Sequence, residues 1–404
     1  MPLRNLLYLL QLEEYDIKRF SEWLRQNPNR IVLEKKGRLN WTPKARTLFI
    51  FANVLNIFTF RQRPVESLKV AVTILSPFDI ILKNLLVLQA RRKINKAQNL
   101  IVIGITGSYG KTTTKDVLAH ILMSTYRLLK TEGNYNTLLG IAKTINQNLK
   151  LDHKLFIVEM AAYQSGDIKA IAELIKPKVG IITAIGPMHL ERFKTRENIL
   201  KTKMELIEFL PENGIGFLPE ELKPQINNFQ IKAKVAFFNS KEELFFKIAN
   251  FFDISTDDVL GRIKTTPPTP HRQQVFKTSA NVTIIDDTYN SNPAGFLSAL
   301  ELLKNTESER RILVTPGMIE LGVEQFELNK NVAKLAAQIA DYIIIVGETN
   351  RKSLEEGLRE ELGPDFESKV FWVKDLDTAK LKLSELAIAN SAVLLENDLP
   401  DHYF

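Results

Sequence analysis

The stretch Ile105-Thr-Gly-Ser-Tyr-Gly-Lys-Thr-Thr-Thr114 sets the fold class of this 404-residue chain. A short β-branched run precedes it, and an apolar helical periodicity follows it. A loop that wraps phosphates needs glycines, so that backbone N–H groups can approach the anion, a helix N-terminus, and a lysine that reaches the terminal phosphates. Gly107 and Gly110 meet the first need and Lys111 the last, while the Thr112 hydroxyl can ligate Mg²⁺. The sequence therefore predicts a phosphate-binding strand, loop and helix.

Strands and helices alternate on both sides of this loop, in two blocks that divide near residue 266. Such alternation predicts a parallel sheet in each block. The first block is expected to be irregular between Gly214 and Asn239, and the composition of Thr265–Pro270 is typical of a linker. The buried strands expected after the loop are Leu155–Val158, Val179–Thr183, Val282–Ile285, Arg311–Val314, Tyr342–Val346, Val370–Val373 and Ala392–Leu395.

Residues 1–95 have a different character, helical and rich in apolar side chains. Two apolar segments, Thr47–Phe60 and Val70–Leu88, are each flanked by Lys and Arg. One interpretation is a pair of helices packed on the rest of the protein. The other is an interfacial membrane anchor, because basic flanks and an apolar face suit anionic lipid. Asp79 and Lys83 inside the second segment argue against a helix that spans the bilayer.

Length and composition exclude several classes of protein. At 404 residues the chain is expected to hold two or three domains. The absence of cysteine excludes a disulfide framework, thiol catalysis and Cys-ligated metal sites. The net charge of +7 suits an anionic ligand or a membrane surface, but the surplus is too diffuse to indicate nucleic acid. No targeting signal is convincing, so a cytoplasmic location is expected.

Three polar residues beyond the loop are candidates for the same site. Glu159 follows a predicted strand and is placed to hold Mg²⁺ directly or through water. His189 follows a strand that ends in a glycine turn, where it can be a ligand or an ordinary structural histidine. Lys203 lies on a predicted helix, and its spacing alone indicates a surface lysine. Glu159 has the strongest indication, because its strand is the next one after the phosphate loop.

A polar loop, Ile284-Ile-Asp-Asp-Thr-Tyr-Asn-Ser-Asn-Pro293, follows the first strand of the second block. Tyr289 can stack, Asn290 and Asn292 can form hydrogen bonds, and Asp287 can accept one from an amine. A plain turn would need far fewer such side chains. The loop is therefore predicted to bind nucleotide or substrate.

Together these segments resemble the Mur ligase family, the ATP-dependent amide ligases of peptidoglycan precursor synthesis, over roughly residues 98–400. The phosphate loop Thr106–Thr113 has the family's spacing rather than that of the common P-loop, and Glu159 also matches. The other matching segments are Gly133-Asn-Tyr-Asn-Thr-x-x-Gly140, Gly186-x-x-His189-Leu, His271-Arg272, Asp286–Pro293 and Gly317-Met-Ile-Glu-Leu-Gly322. Within the family, the last two segments are most similar to the branch whose incoming amine is D-alanyl-D-alanine.

The resemblance implies a P-loop-type central parallel-sheet domain over residues 96–265 and a Rossmann-like α/β domain over residues 266–404, preceded by the apolar helical segment 1–95. It implies ATP and Mg²⁺ as cofactors. The implied partners are an anionic peptidoglycan precursor and an amino acid or dipeptide, with no nucleic acid, and we expect a monomer. The precursor carboxylate would attack the γ-phosphate of ATP, and the amine would then displace phosphate from the acyl phosphate.

The resemblance also gives each site residue an expected role. Four residues would be catalytic: Lys111, His189, Lys203 and Arg272. Lys203 matches a lysine that several relatives carbamylate. Those that would hold metal are Thr112, Glu159 and His189, and those that would contact substrate are Asp287 and Tyr289. ATP would be bound by Thr106, Gly107, Ser108, Tyr109, Gly110, Lys111, Thr112, Thr113, Asn136, Asn290 and Asn292.

The acceptor stays open from the sequence. The family's N-terminal domain, which holds the UDP part of the substrate, is not recognisable in residues 1–95. The first hypothesis is ligation of an amino acid or dipeptide to a peptidoglycan precursor. The alternatives are a Mur-type ligase with another acceptor, for example a lipid-linked one at the membrane, and a nucleotide-binding scaffold without catalysis. The presence of Lys111, Glu159 and His189 favours an enzyme.

Overall fold

The computed structural model describes residues 2–27, 39–58, 63–133 and 135–399. An N-terminal helical unit is followed by two α/β units, the order that the sequence predicts, and each α/β unit is built on a six-stranded sheet. The end of the apolar segment predicted over Thr47–Phe60, and residues 400–404 of the predicted last domain, lie outside the described residues. The helices of the N-terminal unit are α1 (Leu3–Leu12), α2 (Ile17–Gln26), α3 (Pro43–Phe58) and α4 (Pro64–Lys96).

The middle unit is a wholly parallel sheet with helices on both faces. Its strands are β1 (Ile101–Thr106), β2 (Leu128–Lys130), β3 (Leu155–Glu159), β4 (Val179–Ile182), β5 (Ile215–Pro219) and β6 (Lys234–Phe238). Its helices are α5 (Lys111–Leu122), α6 (Leu138–Asn148), α7 (Asp167–Ile175), α8 (Leu190–Phe193), α9 (Arg196–Phe209), α10 (Lys241–Phe251) and α11 (Thr256–Thr265). The strand order is β2-β3-β1-β4-β5-β6, with β1 between β3 and β4. Because the strands run in one direction, their carboxyl ends share one edge, where the phosphate loop and Glu159 emerge.

The prediction that residues 214–239 are irregular is wrong. This stretch contains β5 and β6, which pair in parallel at the edge of the sheet, with a 3₁₀ helix between them. The usual sequence pattern of a buried strand is interrupted in the first, which contains Gly216 and Pro219, and most side chains of the second are half-buried. The middle sheet is therefore wider than the sequence indicates.

The C-terminal unit has a mixed sheet, so the prediction of a wholly parallel second sheet is wrong. The order is β11-β10-β9-β12-β8-β7, in which β7 runs antiparallel to β8 and the other pairs are parallel. A hairpin joins β7 to β8 through the Thr278 to Val282 backbone bond of 2.9 Å, and a turn this short cannot make a parallel crossover. The strands are β7 (Gln274–Lys277), β8 (Thr283–Asp287), β9 (Arg310–Thr315), β10 (Tyr342–Val346), β11 (Val370–Val373) and β12 (Ser391–Glu396). The helices are α12 (Pro293–Asn305), α13 (Gln325–Ile339), α14 (Arg351–Leu362), α15 (Phe366–Lys369) and α16 (Leu376–Leu386).

Helix α4 is 33 residues long and continues through Pro77. Proline has no N–H for the carbonyl four residues earlier, which here belongs to Thr73. The Ser76 hydroxyl donates to that carbonyl at 2.9 Å and so replaces the missing bond. By length and composition α4 could cross a membrane, and 6% of its most apolar 18-residue window is buried.

The two ends of α4 pack on different parts of the protein. Near its start, Leu68 and Ala71 are buried with side chains of α1 and α3. Near its end, Ala90 and Ile94 join the core of the middle unit, and the Lys93 ammonium donates to a carbonyl of α6 at 2.8 Å. Helix α4 therefore ties the N-terminal unit to the middle unit.

Candidate functional site

The phosphate loop runs between β1 and α5 at the carboxyl edge of the middle sheet. Gly107 has φ of +146° and Gly110 has φ of +81°, conformations that side-chain-bearing residues rarely adopt. A Cβ built on Gly107 would lie 2.1 Å from the Thr183 hydroxyl oxygen, so the loop approaches the end of β4 this closely because glycine stands there. The Ser108 hydroxyl donates to the Gly186 carbonyl and accepts from the Gly186 amide, both at 3.0 Å. The loop that follows β1 is therefore held against the segment that follows β4.

Lys111, the first residue of α5, folds back over this loop. Its ammonium donates to the Gly107 carbonyl at 2.7 Å and to the Ser108 carbonyl at 3.3 Å. Burial lowers the pKa of Lys111 to about 8; the Glu159 charge opposes this shift and the Arg272 charge adds to it. A buried ammonium that is bonded to neutral carbonyls alone is stabilised when an anion approaches it. A nucleotide phosphate would supply that anion.

Glu159 ends β3 beside the loop, where its carboxylate is buried. It accepts hydrogen bonds from the Lys115 ammonium and from the Asn136 amide, each at 3.0 Å. Burial alone would raise the pKa of Glu159, but the Lys115 charge, the Asn136 bond and the Lys111 charge outweigh burial and lower it. The carboxylate is therefore ionised at neutral pH, as a metal ligand must be.

His189 lies where the middle and C-terminal units meet. Its backbone has φ of +57°, and its Nδ1 is hydrogen-bonded to the carboxylate of Glu320 from the C-terminal unit. Burial would raise the pKa of Glu320, but the bond to His189 and the charges of His189 and Arg192 outweigh it, so the pKa lies below its usual value. Tyr163 packs edge-on against the imidazole, with 5.2 Å between ring centroids. The second ring nitrogen, Nε2, is thus the one available to a metal or a phosphate.

Lys203 is not at the surface, contrary to what its spacing alone indicates. It is 3% exposed and, with Lys111 and His189, lines a small cavity of about 10 Å³ next to the phosphate loop. Burial, and after it the charge of Lys111, lowers the pKa of Lys203 to about 7. Near neutral pH a large share of this amine is therefore uncharged and nucleophilic.

A larger cavity of about 300 Å³ lies between the two α/β units and is lined by residues of both. Arg272 and Tyr289 line it from the C-terminal side, with the guanidinium 4.2 Å above the Tyr289 ring. His271 bonds Asp286 at 2.8 Å and so holds the neighbouring Arg272 near the loop after β8. The predicted site residues that line this cavity are Ser108, Tyr109, Gly110, Lys111, Thr112, Thr113, Asn136, Glu159, His189, Arg272, Tyr289, Asn290 and Asn292.

Two predicted site residues, Thr106 and Asp287, do not line either cavity. The Thr106 hydroxyl is buried and donates to the Met160 carbonyl at 3.0 Å, tying β1 to the end of β3. Asp287 is buried beside Glu396 of β12. Burial raises the pKa of Asp287, and burial together with the Asp287 charge raises the pKa of Glu396 well above its usual value. Two such carboxyl groups share a site best when one is protonated.

Three residues that the sequence did not single out also belong to this region. Lys115 lies one helical turn after Lys111, a spacing that puts both on one face and could have been recognised. Glu320 lies inside Gly317–Gly322, a segment whose resemblance to the family gives this residue no expected role. Glu14, in the turn between α1 and α2, lines the larger cavity and lies 4.0 Å from Arg192. Nothing in the sequence indicates that the N-terminal unit reaches the site.

The groups predicted to hold Mg²⁺ have suitable chemistry. Over the described ranges, no three His, Cys, Asp or Glu side chains form a metal cluster. Thr112, Glu159 and His189 nevertheless line one cavity. The Thr112 hydroxyl and the ionised Glu159 carboxylate are oxygen donors of the kind that Mg²⁺ takes, whereas the His189 ring nitrogen is a softer donor. The two oxygen donors therefore fit Mg²⁺ bound together with a nucleotide.

Comparison with known families identifies two domains in this chain. The Mur ligase middle domain matches residues 105–279. The domain described as Mur ligase, glutamate ligase domain, matches residues 271–396. The two matches run through both α/β units and stop short of the N-terminal helices.

Curated relatives carry one recurring name. UDP-N-acetylmuramoyl-tripeptide–D-alanyl-D-alanine ligase from Bacillus subtilis strain 168 is 29% identical over 260 residues, which cover 55% of this chain and 57% of the relative. The ligase of the same name from Mycobacterium bovis is 28% identical over 302 residues, 62% of this chain and 59% of the relative. The chain thus spans less than two thirds of the length of these relatives.

Solved structures share the fold. MurF from Acinetobacter baumannii superposes with a TM-score of 0.69 at 21% identity, over 78% of this chain and 77% of that one. MurF from Thermotoga maritima, solved in complex with ADP, gives a TM-score of 0.68 at 22% identity, over 78% of this chain and 80% of that one. At these identities the superpositions establish a common architecture.

Proposed function

This chain belongs to the Mur ligase family through residues 105–396, and we propose that it is an ATP-dependent amide ligase of peptidoglycan precursor synthesis. A precursor carboxylate would be activated as an acyl phosphate and joined to the amine of an amino acid or dipeptide. D-alanyl-D-alanine is the first candidate for that amine, because the similar ligases of B. subtilis and M. bovis are named for it.

The observation that carries the proposal is the cavity lined by both the phosphate loop and the C-terminal unit. In the first step a carboxylate oxygen would attack the γ-phosphorus of ATP, the bond to the bridging oxygen would break, and ADP would leave. In the second step the amine would attack the carbonyl carbon, and inorganic phosphate would leave the tetrahedral intermediate while the amine gives up a proton. Both steps need the reactants side by side in a space from which water is excluded.

Cationic groups from both units would stabilise the phosphoryl group in transfer. The Lys111 ammonium would exchange its loop carbonyls for phosphate oxygens, and the loop N–H groups would add to this. Arg272 would bring a second positive charge from the other side of the cavity. Tyr289, Asn290 and Asn292 would meet the nucleotide or the amine, although the Asn292 side-chain oxygen also caps α12 at 3.0 Å.

Bound Mg²⁺ would neutralise charge on the phosphate oxygens, held by Thr112, Glu159 and His189. Neighbouring side chains hold these ligands in the protonation state that binds a metal. Lys115 supports an ionised Glu159, and Glu320 engages one imidazole nitrogen so that the other is free to bind.

We also propose roles for two residues that do not line the larger cavity, Lys203 and Asp287. Lys203 would act as a carbamate, and its pKa of about 7 supports this chemistry because a neutral amine is needed to form one. Asp287 would meet the amine after movement of the loop that follows β8, since it is buried beside Glu396.

A second candidate is a Mur-type ligase whose acceptor is lipid-linked. The N-terminal unit favours it, because side chains of α3 and α4 expose large apolar areas and Glu14 reaches the larger cavity. In either case we propose a cytoplasmic monomer with peripheral membrane contact through residues 1–95. The presence of Lys111, Glu159 and His189 in one cavity favours a ligase over a scaffold without catalysis.

The test is release of inorganic phosphate from ATP with Mg²⁺, D-alanyl-D-alanine and either UDP-N-acetylmuramoyl-tripeptide or its lipid-linked counterpart. We expect turnover that needs acceptor and amine together. Lys111→Ala should lower kcat by at least about 100-fold while circular dichroism stays unchanged. Lys150→Ala, at an exposed position, should keep wild-type turnover. Nucleotide binding without turnover on either acceptor would refute the ligase and support the scaffold.

A further inference from the structure

Helices α3 and α4 expose apolar side chains in regular stripes. We call these two helices together the α3–α4 hairpin. On α3 the stripe consists of Ile50, Val54, Ile57 and Phe58, and on α4 it consists of Ile74, Phe78, Ile81, Leu85 and Leu88. Spacings of three and four residues place each stripe along one side of its helix. With Ile80 and Leu82, these residues are 11 of the 26 large apolar side chains exposed in the described ranges, so they form a patch and not a scatter.

The positive charge of the chain is concentrated in the same segment, so the prediction of a diffuse surplus is wrong. Residues 43–96 contain ten Lys and Arg against two Asp and Glu, a net charge of +8. The whole chain has a net charge of +7, so the remaining residues together carry −1. Within the described part of this segment, Arg91 and Arg92 are exposed one turn beyond Leu88 of the α4 stripe. A surface that is both apolar and strongly basic complements anionic lipid.

Acidic charge within the hairpin is already neutralised. Asp79 lies 2.8 Å from the ammonium of Lys44 on α3 and 2.8 Å from that of Lys83 on α4. Burial would raise the pKa of Asp79, but the bonds and charges of the two lysines outweigh it and lower the pKa. The carboxylate is therefore matched by cations on the hairpin itself and adds no net repulsion toward an anionic surface.

The packing of α4 fits a helix that lies on a membrane, not one that crosses it. Its C-terminal end joins the core of the middle unit, and its N-terminal end packs with α1. Glu14, in the turn after α1, lines the cavity of the middle unit, so the elements that pack on the two ends of α4 also meet each other. Both ends of α4 would therefore lie on the same side of a bilayer. A spanning helix would need about 20 free residues and would leave its ends on opposite sides of the bilayer.

We propose that the α3–α4 hairpin docks in the interface of an anionic lipid bilayer, with its apolar stripes among the acyl chains and its Lys and Arg at the headgroups. The docked hairpin would hold the Glu14 turn, and with it the cavity, close to the membrane surface. The docking does not depend on the ligase activity, because binding to lipid is measured without turnover.

The experiment is sedimentation of the full chain with vesicles of phosphatidylcholine, with or without phosphatidylglycerol. We expect the protein to pellet with the anionic vesicles and to stay in the supernatant with the neutral ones. Added salt should weaken the binding, because exposed charges are screened. Equal binding to both vesicle types, or binding to neither, would overturn the proposal.

Two variants test the two parts of the surface. The triple variant Phe78→Glu, Ile81→Glu and Leu85→Glu removes the middle of the α4 stripe, where the side chains are 65%, 56% and 49% exposed. The double variant Arg91→Glu and Arg92→Glu removes basic charge at exposed positions. Each should weaken binding to anionic vesicles by about tenfold or more. Circular dichroism and ATP-analogue binding check that both variants fold.

Matched controls lie on the C-terminal unit. Leu381→Glu changes an apolar side chain that is 67% exposed, and Lys374→Glu with Lys380→Glu changes two exposed lysines. Both should bind vesicles like the wild type, and equal losses in hairpin and control variants would overturn the proposal. Analytical ultracentrifugation gives a further check. If the wild type is a dimer, and the triple variant is a monomer that binds vesicles as the wild type does, then a second copy covers the patch and the proposal is overturned. Resistance to alkaline extraction from membranes would likewise overturn interfacial docking in favour of a spanning helix.

Discussion

Lys203 shows how one buried charge prepares another residue for chemistry. Burial and the positive charge of Lys111 lower the pKa of Lys203 to about 7. When the neutral amine attacks CO₂, a nitrogen–carbon bond forms and a proton leaves, so the group becomes an anion. Next to Lys111 this anion is attracted where the ammonium was repelled. We therefore predict that Lys203 is carbamylated, and that carbamate increases from about pH 6 to about pH 8 as the amine loses its proton.

The measurement is ¹³C NMR of the protein in labelled bicarbonate across this pH range. Lys203→Arg should remove the carbamate signal. Lys201 lies on the same helix with a side chain 61% exposed, and Lys201→Arg should leave the signal in place. A signal that survives Lys203→Arg, or that falls as the pH rises, would contradict the prediction.

The Lys115–Glu159 pair gives a second prediction at the scale of residues. Both side chains are almost fully buried, so Lys115→Met would leave the Glu159 carboxylate without its main partner. We expect a loss of about 3–5 kcal/mol in unfolding free energy at neutral pH. Lys130→Met removes a partner of Asp116 from a pair with 41% and 21% exposed side chains and should cost far less.

The pH dependence of stability checks the same pair. In the wild type the pKa of Glu159 is lowered by folding, so its contribution is fully present above the unfolded pKa of 4.5 and is lost as the pH falls through the lower, folded value. Lys115→Met should lose less stability than the wild type over that acidic range. Parallel curves from thermal unfolding at several pH values would show that the pair has no such role.

Several residues of the site could be predicted because their chemistry is local. Lys111 and the loop glycines follow from a strand, a turn and a helix in sequence, and all of them line the cavities. Lys203 could not be predicted to be buried from its spacing, since burial depends on elements far along the chain. The partnership of His189 with Glu320 joins residues 131 positions apart, which no local pattern reveals.

At the scale of elements, the conformation of the phosphate loop depends on the close contact between the residues that follow β1 and those that follow β4. Gly107→Ala would place a Cβ 2.1 Å from the Thr183 hydroxyl at φ of +146°, so the loop would have to move. We expect ADP affinity to fall by at least about tenfold, because the loop N–H groups would lose their common direction. Gly363→Ala, at φ of +53° with open space around it, should retain ADP affinity and carry only the strain of its backbone.

Isothermal titration calorimetry with ADP and Mg²⁺ measures both affinities. Thermal unfolding of the two variants separates loss of binding from loss of fold. Unchanged ADP affinity in Gly107→Ala would show that the loop does not bind nucleotide in the observed conformation.

Strands with continuous apolar runs were predictable, among them β11 at a sheet edge, and two other edge strands were not. The buried strands β3, β4 and β10 have continuous apolar runs, which both faces of a parallel sheet require. Strands β6 and β7 lie at sheet edges and expose part of their length, so their composition does not distinguish them from loops. The direction of β7 is set by its short connection to β8, a tertiary constraint that composition does not express.

At the scale of the whole molecule, polar and charged side chains of the middle and C-terminal units contact each other. The His189 imidazole is hydrogen-bonded to the Glu320 carboxylate, which also lies 3.9 Å from the Arg192 guanidinium. The Arg196 guanidinium lies 2.6 Å from the Glu324 carboxylate. Gly322 brings the units close, since a Cβ there would lie 3.3 Å from the Glu191 backbone nitrogen. These contacts hold the two sides of the cavity together, so we predict an equilibrium in which weaker contacts favour an open arrangement of the units.

The Arg196–Glu324 pair allows this equilibrium to be tested without touching the cavity. Its side chains are 60% and 33% exposed, and an ion pair of this kind contributes about 1 kcal/mol or less. Glu324→Ala should therefore shift the ratio of closed to open molecules by up to about fivefold and lower kcat/KM by a similar factor. Fluorescence energy transfer between labels on the two units measures the shift directly. Glu197→Ala, which breaks an ion pair within α9, should change neither quantity. If Glu324→Ala lowers the melting temperature but leaves the energy transfer unchanged, the pair stabilises one unit and does not control closure.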